Sequence, residues 1–185
     1  MRRSLLILTL AAFCGPAWAQ KPHGPAAAKP EAPAAPAAPA EPQRTTATFA
    51  DWTLRCVRPE GAVSACEITQ TIFDKNNPVA QTAIGRPGKA EALRLTILVP
   101  ANIQLAAGPK FQPGEGEPGI DLTWRRCLPA GCLADTALTD DQLKKLRARV
   151  DNGRIVFQDG TGRDTVIPFA PKGLGPALDA LAKES

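Results

Sequence analysis

The sequence has a single histidine, no tyrosine and no Cys-x-x-Cys motif. The histidine is His23, inside a tract of alanine and proline, so the region able to fold carries none. That excludes a Ser-His-Asp triad, a Cys-His dyad and any histidine-ligated metal centre. Without Cys-x-x-Cys there is no motif for thiol–disulfide exchange, and a zinc site would need closely paired thiolates in a reducing setting. No apolar run approaches the roughly 18 residues of a membrane-spanning helix. What the chain does have is 19 prolines, 15 glycines and five cysteines in 185 residues.

Residues 1–19 read as a secretory signal. Arg2 and Arg3 form the charged start, Leu5 through Phe13 an apolar run, and Ala17-Trp18-Ala19 a small-residue cleavage site, so cleavage is expected before Gln20. Cys14 as a lipidated residue is the rival, and Phe13 before it is a poor fit to that signal. Removal of Arg2 and Arg3 leaves 20 basic against 18 acidic side chains. With no basic stripe to hold a polyanion, nucleic acid is not an expected partner, and no transmembrane helix remains after signal removal. Removal of Cys14 leaves Cys56, Cys66, Cys127 and Cys132. In an oxidising compartment four cysteines read as two disulfides. Each of the pairs Cys56–Cys66 and Cys127–Cys132 flanks a short turn-rich stretch, which favours that connectivity among three.

Residues 20–44 hold seven prolines and nine alanines. Such a tract has no apolar face to bury and reads as an extended linker. The folded domain is expected over 45–185. Its first half is β-patterned: Trp52, Leu54 and Cys56 alternate with polar residues, Cys66, Ile68, Gln70 and Ile72 repeat the pattern, and Pro59-Glu60-Gly61 supplies a turn. Leu93, Leu95, Ile97 and Val99 mark a strand ended by Pro100, and another is expected through Ile120, Leu122 and Trp124 to Cys127. In the second half Thr139 is a helix N-cap, with Asp140 and Asp141 in the first turn. Leu143, Leu146 and Val150 follow at helical spacing, and Gly153 is the expected stop. A hairpin of Ile155–Phe157 and Thr165–Phe169 turns at Asp159-Gly160-Thr161-Gly162, and a closing helix carries Leu174, Leu178 and Leu181 on one face. The expected architecture is mainly β: a single antiparallel β-sandwich or short barrel with two C-terminal helices and two disulfides.

Together these segments resemble the invasion-associated locus B family of exported proteobacterial proteins. The resemblance rests on Trp52-Thr-Leu-Arg-Cys56, Cys66-Glu-Ile-Thr-Gln70, the Leu-x-Leu-x-Ile-x-Val-Pro strand ending at Pro100, and Ile120-Asp121. It continues through Cys127-Leu-Pro-Ala-Gly-Cys132 and the closing hairpin and helix. It covers the domain from Phe49 onward; Gly173-Leu174 stands where the family pattern has Gly-Phe. The resemblance implies a periplasmic or outer-membrane-associated factor, linked in some members to host-cell entry, and brings no enzymatic activity or site residues.

Several residues invite a functional reading. Arg125, Arg126, Lys144, Lys145, Arg147 and Arg149 form either a patch for anionic surfaces or a solvated face complementing a helix dipole. Asp140 and Asp141 are helix-start residues before they are a catalytic pair, since adjacent helix positions do not face each other. Trp52, Trp124 and Phe73 are core aromatics or a binding platform. Gln70, on a buried face, needs partners for its amide. The Gly/Pro stretch Gly108–Gly119, with Lys110, Glu115 and Glu117, is expected as an exposed loop and as the first place to look for a partner contact. The expected function is a non-catalytic exported envelope or surface protein, a binding module for another protein or an envelope or host-surface macromolecule, with no cofactor. The alternative is a periplasmic accessory module without a host role. An enzyme working through carboxylates alone comes third.

Overall fold

Alternation of buried and exposed side chains builds the framework. In β2 (Trp52–Val57) Trp52, Leu54 and Cys56 turn inward while Arg55 and Val57 turn outward. The same period of two runs through β3 (Ala65–Asp74), β4 (Asn77–Gly85) and β5 (Arg94–Val99), so each presents one apolar face to a shared interior. The computed structural model describes residues 44–58, 64–88, 91–114 and 116–184. The expected signal peptide, the Ala/Pro tract up to residue 43, the Pro59-Glu60-Gly61 turn and Glu115 lie outside the described residues.

The remaining elements are β1 (Arg44–Phe49), β6 (Lys110–Gln112), β7 (Ile120–Asp121), β8 (Thr123–Leu128), β9 (Gly131–Ala137), α1 (Asp140–Arg147), β10 (Gly153–Gln158), β11 (Asp164–Phe169) and α2 (Leu174–Glu184). They form a seven-stranded sheet in the order β1-β2-β3-β4-β5-β9-β8 and a four-stranded sheet in the order β11-β10-β6-β7. All pairings are antiparallel. Both sheets and both helices contribute to one apolar core, and α2 lies against β1, β2, β3 and α1. Of the two expected architectures the open two-sheet sandwich is the one formed.

The strand expected to run unbroken from Ile120 to Cys127 changes sheet. Ile120 pairs with Phe111 in the small sheet, whereas Trp124 pairs with Ala134 in the large one. Leu122 sits buried at the crossing and its N–H donates to the Pro109 carbonyl at 3.0 Å. The Gly108–Gly119 stretch is likewise not an exposed loop throughout. Phe111 is fully buried in β6 and its ring stacks on Phe169 with centroids 4.3 Å apart, while Arg149 Nη2 holds Glu117 Oε1 at 2.7 Å.

Thr139 caps α1 as expected, in a capping box. Its hydroxyl accepts from the Gln142 N–H at 3.3 Å, and its own N–H donates to Gln142 Oε1 at 2.9 Å. The helix ends at Arg147, earlier than the spacing of Val150 implies, and Val150 is 84 % exposed. The reason is a neighbour: a Cβ on Gly175 would lie 2.9 Å from the Arg147 carbonyl oxygen, so α1 runs out against the start of α2. Gly153 is correspondingly not a helix stop but the first residue of β10, where a Cβ would meet the Phe169 ring at 2.0 Å. Gly173 has φ +90°, and a Cβ there would lie 1.8 Å from the Phe49 carbonyl oxygen. The chain can enter α2 this close to β1 only because that residue is glycine.

The buried amide of Gln70 finds both partners on one residue. Its Nε2 donates to the Ala170 carbonyl at 2.9 Å and its Oε1 accepts from the Ala170 N–H at 3.2 Å, and Trp52 Nε1 donates to the same carbonyl at 2.9 Å. The amide thus stands in for a strand neighbour at the end of β11. Thr82, opposite Gln70 on β4, is fully buried, and its hydroxyl has no partner among the described residues.

Two stability measurements follow from these side chains. Gln70→Ala strands the Ala170 amide and is expected to lower the unfolding free energy by about 2–3 kcal/mol in urea titration; an unchanged midpoint would refute the tie. Thr82→Val removes a buried hydroxyl with no partner among the described residues, and is expected to be neutral or stabilising by up to about 1 kcal/mol.

Candidate functional site

The outward face of the large sheet gathers charge at one end, because each strand places a charged residue at or near that end. Across the sheet these are Arg44 on β1, Arg55 on β2, Glu67 on β3, Arg86 just beyond β4, Arg94 on β5, Asp135 on β9 and Arg125 on β8. The register sets the ion pairs. Arg55 lies directly opposite Glu67 and its Nη2 reaches Oε1 at 2.6 Å. Arg94 ion-pairs with Asp135 from the neighbouring strand. A bulge in β8 between Trp124 and Arg126 frees Arg125 to reach the same Asp135 oxygen at 2.9 Å.

Two carboxylates therefore serve three guanidiniums. Partial burial alone would push the Asp135 carboxyl up. The hydrogen bonds and positive charges of Arg94 and Arg125 outweigh it and hold the group below the usual aspartate range. Arg86 differs from these three: its Nε is buried and has no hydrogen-bond partner among the described residues. Arg44, Arg55, Arg86 and Arg94 line an open groove of about 740 Å³ whose floor includes Ala83 and Gly85. The groove's cations are all arginines. A guanidinium offers a planar fork that matches a carboxylate or phosphate, unlike the compact ammonium of lysine.

A second groove of about 520 Å³ adjoins it on the same face and is lined by Pro78, Val79, Leu98, Pro100, Pro129 and Ala130, among others. The floor is continuous. Along β4 the outward residues run Gly85, Ala83, Gln81, Val79, about 20 Å from end to end at about 3.3 Å per residue. Thr69 and Thr71 on β3 and Thr96 on β5 flank its middle. The face thus has a cationic end, a polar middle and an apolar end.

The residues singled out in the sequence fall elsewhere or into structural roles. Cys56–Cys66 and Cys127–Cys132 are disulfide-bonded, each between directly opposed positions of neighbouring strands. Trp52 is fully buried, whereas Trp124 is half-buried with its Nε1 donating to the Ala107 carbonyl at 2.8 Å. Phe73 is 58 % exposed at the tip of the β3–β4 hairpin, so the three aromatics do not share the core. The cations on and just after α1 are largely paired. Arg147 meets Asp179 at 3.1 Å, Lys144 meets Asp141 at 3.7 Å, and Arg149 meets Glu117. Arg44, Arg55, Arg86 and Arg94 were not legible as a group, since they are scattered over 51 positions of sequence and only strand pairing brings them to one edge.

The family described as "Invasion associated locus B (IalB) protein" matches residues 52–182. Two invasion protein B homologues, from Brucella abortus strain 2308 and Brucella abortus biovar 1 strain 9-941, are each 25 % identical over 138 residues. In each case the match covers 72 % of this chain and 77 % of the relative. The crystal structure of invasion associated protein B from Bartonella henselae superposes with a TM-score of 0.66 at 21 % identity, over 75 % of this chain and 95 % of that one. That likeness is one of fold.

A second perturbed carboxyl lies in the β10–β11 turn. Asp159 accepts from the Thr161 hydroxyl at 2.6 Å, from the Thr161 N–H at 2.8 Å and from the Arg163 N–H at 3.1 Å, which pulls its pKa down to about 2. A depressed carboxyl stabilises the fold above its unfolded value of 3.8 and loses that contribution as pH falls toward 2. Carbon-detected NMR titration is expected to place the Asp159 midpoint near 2, with faster amide exchange at Thr161 and Arg163 below it. A midpoint near 3.8 would contradict the hydrogen-bonded turn.

Proposed function

The chain belongs to the invasion-associated locus B family, and from that premise we propose that it is a non-catalytic exported envelope protein. It acts as a binding module, presented at the cell surface, with the outward face of its large sheet as the docking face. The observation that carries this reading is the state of the groove's charges. Asp135 is held below the usual aspartate range by Arg94 and Arg125 and so is not poised to donate a proton near neutral pH, Glu67 is ion-paired with Arg55, and the arginine excess favours holding an anionic partner over transforming one. The two disulfides fit folding in an oxidising compartment.

The test is protease accessibility on intact cells, with a periplasmic marker and a permeabilised control. Digestion of the domain while the marker survives is the expected result and would support attachment to host surfaces. Protection until permeabilisation would overturn surface presentation and leave a periplasmic accessory module without a host role.

A further inference from the structure

We propose that the outward face of the large sheet binds an extended segment of a partner protein, acidic at one end and apolar at the other, lying along β4. The inference rests on the binding-module reading and names the partner's chemistry.

Three observations select this occupant. The first is charge. Of the five arginines in the row, Arg55, Arg94 and Arg125 are matched by Glu67 and Asp135, whereas no ion-pair partner for Arg44 or Arg86 occurs among the described residues. Arg86 is half-exposed and lines the groove, so a carboxylate entering there would pair with its guanidinium. The second is the opposite end, where Pro78, Val79, Leu98 and Pro100 offer an apolar surface to apolar side chains. The third is the middle. An acyl chain joining an anionic headgroup at the arginines to the apolar end would bury Gln81, Thr71 and Thr96 without hydrogen-bond partners, a cost that disfavours a lipid. A peptide backbone carries its own N–H and C=O groups and satisfies those side chains. The 20 Å floor accommodates about six residues of extended chain at about 3.3 Å each.

The experiment pans a phage library of random octapeptides against the full processed chain, in parallel with Arg86→Gln and Arg44→Gln. Anionic phosphatidylglycerol vesicles serve as a separate flotation probe. Enriched peptides are expected to carry Asp or Glu at one end and Val, Leu or Pro about five residues away. In fluorescence anisotropy the best of them is expected to lose about tenfold in affinity on either arginine substitution. Leu98→Ser is expected to weaken binding while leaving the acidic preference intact. Arg44 is exposed, so its substitution keeps the test valid even where Arg86→Gln disturbs folding. No enrichment, enrichment without acidic residues, or an acidic preference that survives both arginine changes would overturn the proposal. Arginine-dependent flotation with vesicles and no peptide enrichment would assign the face to lipid and overturn it as well. A domain that is protease-accessible on cells yet enriches no acidic peptide keeps the surface-module reading and loses this one.

Discussion

The joint between Gln70 and Ala170 is the constraint around which the two sheets are organised. A sandwich held only by apolar contact is free to slide, because burial is non-directional. Here a buried amide uses one N–H and its oxygen, and a single backbone residue 100 positions away meets both. Trp52 adds a second hydrogen bond to the same carbonyl, which commits β2 as well as β3 to that position. Ala170 directly follows β11 and leads through Gly173 into α2. One set of directional bonds therefore sets where the small sheet ends, where the last helix begins, and how both sit on the large sheet. α1 is then placed in turn, because its last carbonyl meets Gly175.

The disulfides act on a different scale. Cys56–Cys66 and Cys127–Cys132 join residues ten and five positions apart, within β2–β3 and β8–β9. Loops this short give about 2–3 kcal/mol each on the chain-entropy account, and they fix register within neighbouring strands without connecting the sheets. Covalent bonds thus secure the local pairing of the large sheet, and hydrogen bonds and packing secure its relation to the small one. The outward face benefits from the first of these. The Arg55–Glu67 pair sits one residue from the Cys56–Cys66 bridge, so the register that the disulfide locks is the register that lines up the charges.

How much of this was readable in the sequence depended on the range of the interaction. Strands with clean alternation, such as Leu95-Thr-Ile-Leu-Val99, were legible, as were the Thr139 cap and the Asp159-Gly160 turn, because their causes lie within a few residues. Gln70 was legible as a buried amide in need of partners, but not which partner. β1 and β4 were missed: Arg44-Thr-Thr-Ala-Thr-Phe49 has little apolar content, and Asn77–Gly85 builds its inward face from Ala80, Thr82 and Ile84. Phe111 was hidden in a Gly/Pro stretch because a three-residue strand is too short to show a period. The arginine row was illegible because it is a property of strand order, and strand order is decided by packing across the whole core.

The separation between Gln70 and Ala170 also orders events in time. Chain synthesis delivers β1 through β5 well before β10, β11 and α2 exist, so the inward face of the growing sheet has nothing to cover it. A buried amide and an indole N–H that wait for Ala170 leave any chain that stops short of it incomplete. Contacts this distant in sequence delay closure until Ala170 is available. A chain built this way locks only once Ala170 has arrived. The sequence distance spanned by a single hydrogen-bonded joint thereby sets how much of the chain must be present before the two sheets can lock together.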